Sequence, residues 1–420
     1  MQNFIKNQLQ QLLKQYHSMS LISKKIVFSC FKKVQGGQFI FSLPDGSKHI
    51  FGQLAHDHDT PIQIKINDLK AFSLAISSGD IGVAEGFFKN FWQTDDLEKL
   101  LRLVLQNRSF FTQLIYGTWF GSLIYKLKHF LHRNTKAQSK KNIHAHYDLG
   151  NQFYGLWLDP SMMYSSALFN GNYHQPLQDA QNAKCEKILS NLEVEQGNKI
   201  LEIGCGWGNF MKRANLQNVA VDGITISTEQ LNYVQQELAA KGSNASFAEQ
   251  NSAAILQDYR DCNHEYDGIV SIEMFEAVGE AFWPSFFKTI DRCLKPGKKA
   301  VIQTIVIDDE LFPVYRTSTD FIQQYIFPGG MLPSVSAFES QVKAAGLKVK
   351  DRFYFGEDYA QTLRIWADSF NQQIDAIKAL GFKDEFIRLW NFYLYYCAAG
   401  FAEKTLDVVQ FTIEKPLHES

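Results

Sequence analysis

The residues whose types and spacing could do chemistry cluster between Lys199 and Gly279. Glu202 lies in a short apolar run with Ile200, Leu201 and Ile203, and three glycines follow at alternate positions: Gly204, Gly206 and Gly208. Glycine has no Cβ, so a strand ending in such a turn lets the backbone pass close to a ligand. The G-x-G-x-G spacing differs from the G-x-G-x-x-G of dinucleotide sites and argues against NAD. A second group closes the stretch Val221 to Gln230. There Thr225 and Ser227 occupy a strand tip where many nucleotide-binding units carry an acid for ribose, and Ser227 is equally a helix N-cap. Tyr259 and Arg260, between Asp258 and Asp261, stand where side chains can flank an adenine ring. In S-I-E-M-F-E-A-V-G (Ser271 to Gly279) two carboxylates, Glu273 and Glu276, fall where open α/β sheets bind ligands. A carboxylate among apolar groups is costly to bury alone. This pair is therefore either matched structurally or kept for chemistry.

These groups need alternating strands and helices to position them. Strands are expected from Lys199, at Val219 to Ile226, Tyr266 to Ile272 and Lys298 to Val306, with helical stretches between them. That pattern gives a parallel sheet with helices on both faces. Upstream, Gly37 to Gly52 reads as a hairpin around Pro44-Asp45-Gly46, and helical patterns follow around Asp68 to Ser77 and Asp95 to Gln106. Between Phe110 and Leu131, Ile115, Trp119, Leu123, Leu127 and Leu131 share one helical face. The basic, polar stretch Arg133 to Asn142 is a candidate linker. From Asp308 on, helices mix with a final strand near Val408 to Glu414. The expected division is residues 1–132 as an α+β domain and 133–420 as an α/β catalytic domain.

Composition sets the outer limits. A chain of 420 residues suggests two or three domains, and 45% apolar with 20% charged residues describes a globular protein. The 34 Phe and 17 Tyr suit an apolar-ligand pocket as well as plain core filling. A net charge of −2 gives no global field for nucleic acid, although Leu101 to Tyr147 holds eight Lys/Arg and no acid. Six scattered cysteines without C-x-x-C spacing imply free thiols in a reducing compartment and no metal. The N-terminus lacks the apolar core of a signal peptide. The uncharged stretch Ser109 to Tyr125, 17 residues long, is short and polar for a membrane span. A cytoplasmic protein that touches a membrane surface is the expectation.

The acid-bearing strand and glycine turn resemble the S-adenosylmethionine (SAM) loop of Rossmann-like methyltransferases. Further blocks follow in order: H-Y-D-L-G-N (His146 to Asn151), L-D-P-S-M-M-Y-S (Leu158 to Ser165), L-E-I-G-C-G-W-G, G-I-T-I-S-x-E-Q, I-V-S-I-E-M-F-E-A-V-G, Y-I-F-P-G-G (Tyr325 to Gly330) with Leu332-Pro333, and the region from Tyr393 to Ala398. Together they make the chain similar to the cyclopropane-fatty-acyl-phospholipid synthase family, which includes the mycolic acid cyclopropane synthases. Weaker matches reach back to the Pro44-Asp45-Gly46 hairpin and to D-I-G-V-A-E-G (Asp80 to Gly86).

The resemblance implies a Rossmann-like SAM-dependent methyltransferase domain with a smaller N-terminal α+β domain. It implies SAM held by Tyr164, Ser165, Glu202, Gly204, Cys205, Gly206, Gly208, Thr225, Ser227, Gln230, Tyr259 and Arg260. The implied reaction carries the SAM methyl to a cis double bond of an unsaturated acyl chain, in a phospholipid, and closes a cyclopropane. In that family the base is a bound bicarbonate held by a Glu, a Tyr, a Cys, a His and a backbone group. The matching positions here are Glu276, Tyr359, Ser166 in place of the Cys, Gln303 in place of the His, and the Ile305 backbone. Serine and glutamine still hydrogen-bond an oxyanion, but Gln cannot carry a proton as His can, which leaves methyl transfer safer than ring closure. Cys397 matches a cysteine once regarded as the active-site residue, and reads otherwise as a small core residue. His144 and His146 read as packing and capping as readily as catalysis. The cation-rich segment and the amphipathic 110–131 stretch suit contact with an anionic leaflet, and family likeness implies a homodimer. The alternatives are chain methylation giving a methyl or methylene branch, methylation of a small polar acceptor, and a non-catalytic lipid-binding relative.

Overall fold

The computed structural model describes residues 20–54, 56, 59–111, 149–240 and 245–417. The N-terminal segment, the 110–131 pattern and the candidate span Ser109 to Tyr125 beyond residue 111, the linker 133–142, and His144 and His146 lie outside the described residues. No described helix is long and apolar enough to cross a membrane.

Two compact units emerge, and each gathers separate stretches of chain. The first takes Met1–Lys128, Ser318–Tyr325 and Gly381–Glu403; the second takes His129–Thr317, Ile326–Leu380 and Lys404–Ser420. In the first unit β1 (Gln38–Ser42), β2 (Lys48–Gly52), β3 (Ile62–Ile66) and β4 (Trp92–Thr94) form a sheet of order β2-β1-β3-β4. The expected hairpin is β1–β2, turning at Gly46 with φ +84° while Asp45 accepts the Ser47 N–H at 2.9 Å. β3 was not anticipated, although I-Q-I-K-I alternates cleanly and buries Ile62, Ile64 and Ile66. The helix Lys70–Phe88 runs well past Ser77, through a kink at Gly79. Just after that kink Asp80 joins distant stretches of this unit: its Oδ2 accepts the Phe321 N–H and the Tyr396 hydroxyl, each at 3.0 Å.

The second unit is built on a seven-stranded sheet of order β10-β11-β9-β8-β5-β6-β7. Its strands are β5 (Lys199–Ile203), β6 (Ala220–Thr225), β7 (Ala253–Leu256), β8 (Tyr266–Ile272), β9 (Leu294–Ile307), β10 (Lys348–Tyr354) and β11 (Leu406–Glu414). β5 to β9 pair in parallel, and β11 and β10 pair antiparallel beyond them. β5 reads as an apolar run because helices cover both faces of a parallel sheet. The chain steps outward from β5 through β6 to β7, then returns to β8 on the other side of β5. This is the Rossmann-like switch point, with its crevice at the carboxyl ends of the strands. β7 and β10 were not anticipated, and β9 begins earlier than expected, with Pro296 and Gly297 inside an irregular start.

An aromatic core braces the switch point. Phe338 stacks on Phe411 of β11 at 4.0 Å and meets Phe275 and Phe287 edge-on at 5.2 and 5.1 Å. Phe275 sits between Glu273 and Glu276, so this cluster fixes the turn that carries both carboxylates. Phe338→Ala is expected to lower the unfolding free energy of this unit by about 3–5 kcal/mol, read from urea unfolding by tryptophan fluorescence.

Candidate active site

β5 delivers Glu202 and the glycine turn to the crevice. Gly204, Gly206 and Gly208 have φ of +85°, +51° and +81°, where a Cβ is strained. A Cβ at Gly204 would come within 2.9 Å of Met274, and one at Gly208 within 3.0 Å of Val234. One at Gly206 would meet nothing within 4 Å, so its backbone is bare to open space. The Gly204 and Cys205 N–H groups bond Ile224 of β6 at 2.9 and 3.1 Å, and the Trp207 indole donates to Asn151 at 2.8 Å. The Cys205 side chain turns toward Gly223, and burial drives its thiol well up. Glu202 is 3% exposed, and its Oε2 has no hydrogen-bond partner among the described residues. Burial alone therefore lifts its carboxyl far above the ordinary range. An orphaned carboxylate oxygen beside a bare backbone turn is the cradle of a cationic, backbone-hugging ligand. The ammonium-bearing SAM fits it.

Beyond β6, Thr225, Ser227 and Gln230 are knotted together. The Thr225 hydroxyl donates to Gln230 Oε1 at 3.0 Å and accepts the Ser227 N–H at 3.1 Å, while Ser227 Oγ caps the helix Thr228–Ala239 by accepting the Gln230 N–H at 3.3 Å. Gln230 joins this knot through its Oε1 and its backbone N–H. Beyond β7, Arg260 grips Asp258 through Nε at 2.8 Å and Nη2 at 2.6 Å, and Tyr259 meets Phe286 edge-on at 5.5 Å. Arg260 thus spends its fork on an internal ion pair and stiffens the wall that Tyr259 presents. Tyr164 nests among Tyr154, Trp157 and Trp366, with centroids at 5.4, 5.7 and 5.3 Å. Ser165 is held by Lys184, whose Nζ donates to its hydroxyl at 2.5 Å, and by Gln181, which donates to its carbonyl at 2.9 Å.

The carboxylates after β8 have opposite environments. Glu273, at a strained φ of +48°, accepts three hydrogen bonds: the Ser166 N–H at 2.9 Å and Gln303 Nε2 at 2.7 Å on Oε1, and the Tyr359 hydroxyl at 2.7 Å on Oε2. Gln303 is oriented by Gln410, its cross-strand neighbour on β11, which donates to Gln303 Oε1 at 3.1 Å. The Ser166 hydroxyl donates elsewhere, to Ala167 O at 2.9 Å. Glu276 accepts Thr304 Oγ1 at 2.9 Å and the Ile305 N–H, both on Oε1; its Oε2 is buried with no partner among the described residues. Burial, reinforced by the charge of Glu273, pushes Glu276 up to about 8. Burial raises Glu273 too, but Lys184 and the three donors pull it back. Both carboxyls are thus raised by burial, and of the two Glu273 has the environment that better supports a negative charge, because three donors and Lys184 oppose the rise.

Ser166, Gln303, Tyr359, Ile305 and Glu276 are therefore assembled in one place, but around a protein carboxylate. The donors assigned by resemblance to bicarbonate are engaged: three with Glu273 and the Ile305 N–H with Glu276. A bicarbonate would find those donors taken and would bring a second negative charge beside an anion. The residues present do not fit it. Cys397 belongs to the first unit, on the helix Asp384–Ala402, where burial and the charge of Asp320 push its thiol well up, leaving it neutral at physiological pH. Three contributors were missed from sequence: Lys184, Thr304 and Gln410. Gln410 left a signal, a polar residue inside the apolar V-V-Q-F-T strand; a lysine in a mixed helix left none.

A family model described as mycolic acid cyclopropane synthetase matches residues 134–411. A tuberculostearic acid methyltransferase of Mycobacterium tuberculosis is 34% identical over 80% of this chain and 79% of its own length. The cyclopropane-fatty-acyl-phospholipid synthase of Escherichia coli K12 is 31% identical over 86% of this chain and 90% of its own. The solved structure of a mycolic acid cyclopropane synthase complexed with SAH and CTAB shares 32% identity at a TM-score of 0.61, covering 66% of this chain and 98% of that one.

Two measurements probe these carboxylates. Glu202→Gln removes the group awaiting a cation, so calorimetry is expected to show SAH binding weakened at least about tenfold, roughly 1.4 kcal/mol, with no fall in the thermal midpoint of the ligand-free protein. Glu276 has a folded pKa above its unfolded one, so its stabilising contribution is full below the ordinary carboxylate pKa and is lost as pH rises through about 8. Urea midpoints across that window should decline in the parent, and the decline should be shallower in Glu276→Gln.

Proposed function

The chain belongs to the mycolic acid cyclopropane synthetase family of SAM-dependent methyltransferases, and from that premise we propose that it transfers a methylene unit from SAM to the cis double bond of an unsaturated fatty acyl chain, carried in a phospholipid, to give a cyclopropane. The observation that carries the reading is the Glu273 carboxylate, set on three donors at the same switch point as the glycine turn. Alkene alkylation needs this combination: a seat for an electrophilic methyl donor, and a base in a dry site.

SAM, when bound, supplies an electrophilic methyl on sulfur. The chain's own residues do the remaining tasks. Glu202 answers the positive charge of the donor's amino-acid end, Gly206 lets the backbone close on it, and Gln230 Nε2 offers a donor to its ribose. Thr225 and Ser227 hold Gln230 in place, while Tyr259 walls the adenine side and Arg260 stiffens that wall. An alkene is a weak nucleophile, so placement and exclusion of water account for most of the acceleration. The rings of Tyr164, Trp366 and Tyr359 give aromatic faces and edges that shield positive charge on the acyl chain.

The stretch of eight cations between Leu101 and Tyr147 supports peripheral contact with an anionic leaflet, the source of the lipid. Light scattering checks the accompanying homodimer, a monomer mass removing it. The likeness to a protein named tuberculostearic acid methyltransferase favours one second reading, a methyl or methylene branch without ring closure. Mass spectrometry of cis-unsaturated phospholipid vesicles incubated with protein and SAM separates the two. The expected result is a gain of one CH2 with loss of the alkene. A gain with the alkene retained, or a saturated methyl branch, establishes branching instead. No mass change despite SAM binding refutes both.

A further inference from the structure

We infer that Glu273 is the base of the reaction, a protein carboxylate standing where a bound bicarbonate would otherwise have to sit. This rests on the methylene-transfer reading above. Three geometric facts carry it. Glu273 takes the Ser166, Gln303 and Tyr359 donors, which come from three separate stretches of chain. A carboxylate has about four lone-pair sites; Oε1 accepts two bonds and Oε2 one, so Oε2 keeps a lone pair for an incoming proton. The residue stands at φ +48°, a strain that a side chain placed only for packing has no need to hold.

The proton balance follows. The alkene carbon forms a bond to the donor methyl as the sulfur–carbon bond breaks, leaving a thioether and a cation on the neighbouring chain carbon. A C–H bond of the new methyl then breaks. Its electron pair closes the ring onto the cationic carbon, and the proton passes to Glu273 Oε2 and later to water. Glu276 is the positioning partner: Thr304 and Ile305 saturate its Oε1, and burial beside Glu273 pushes its carboxyl up to about 8, which favours the single negative charge of the pair on Glu273. Lys184, buried behind Ser165, opposes the rise that burial imposes on the Glu273 carboxyl, although burial also lowers the lysine's own pKa. Gln303 is then fully competent in place of a histidine, because its task is to donate and not to shuttle a proton.

Bicarbonate dependence tests the assignment. In CO2-free buffer the parent protein should convert cis-unsaturated phospholipid vesicles at a rate that added bicarbonate leaves unchanged, and 13C-bicarbonate should show no saturable line broadening in its presence. Glu273→Gly removes the carboxylate at a backbone angle glycine adopts freely, so the variant is expected to fold and bind SAH. Its turnover should drop about a hundredfold or more, with partial recovery on adding bicarbonate or formate and with new 13C-bicarbonate broadening. A parent rate that rises severalfold with bicarbonate, or saturable bicarbonate binding to the parent, would overturn the assignment. So would wild-type turnover in Glu273→Gln. Absence of any lipid product would sink the functional reading instead, and the 13C measurement would still decide which carboxylate occupies the donors.

Discussion

A carboxylate withdrawn from water must be met by donors, and those that meet Glu273 come from far apart in the chain. The loop before the helix Leu177–Leu192 supplies the Ser166 N–H, β9 supplies Gln303, and the helix Gly356–Gln372 supplies Tyr359. Much of the surrounding architecture serves to bring these three into range. The Ser166 loop is tied to the Tyr359 helix by Ala167 N–H on Thr362 at 3.1 Å and by Phe169 N–H on Asp358 at 2.7 Å. That helix starts where Gly356 N–H meets Asp407 at 2.8 Å, and Asp407 is a β11 residue that itself pairs with Val306 of β9. Loss of one donor leaves a buried charge under-solvated, which costs more than the hydrogen bond itself contributes.

The pair of acids works through difference. Equal environments three residues apart would set two negative charges against each other. Here three donors fall on Glu273, while Glu276 has one saturated oxygen and one orphan. Environment, not residue type, assigns anion and acid, as it does wherever two nearby carboxyls take separate roles. The Gln410 amide, which donates to Gln303 Oε1, belongs to the same arrangement, since without it the Gln303 amide could turn its oxygen toward Glu273.

Much of this was legible beforehand. The glycine turn, the strand tips and both carboxylates were readable because they depend on short local patterns: apolar runs, glycines needing positive φ, a capping serine. The Rossmann-like order followed from the alternation of those patterns. What the sequence hid is non-local. Nothing in I-V-S-I-E-M-F-E says that Glu273 takes three donors while Glu276 keeps an unpartnered oxygen, because that depends on residues up to 107 positions away. Lys184 and Thr304 act only through tertiary placement. β7 and β10 are short or exposed edge strands with weak patterns.

The way the first unit is assembled bears on how the chain is made. Asp80 is emitted early in synthesis, yet apart from its neighbour Ile81 its partners are Phe321 and Tyr396. A ribosome must therefore deliver nearly the whole polypeptide before that acid meets its distant partners. Until then the growing N-terminal portion carries a carboxylate met only by the adjacent Ile81 N–H, a nascent state that invites chaperone attention. A gene fragment ending before residue 318 would reproduce that unfinished state permanently, however natural its boundary looked on a linear map.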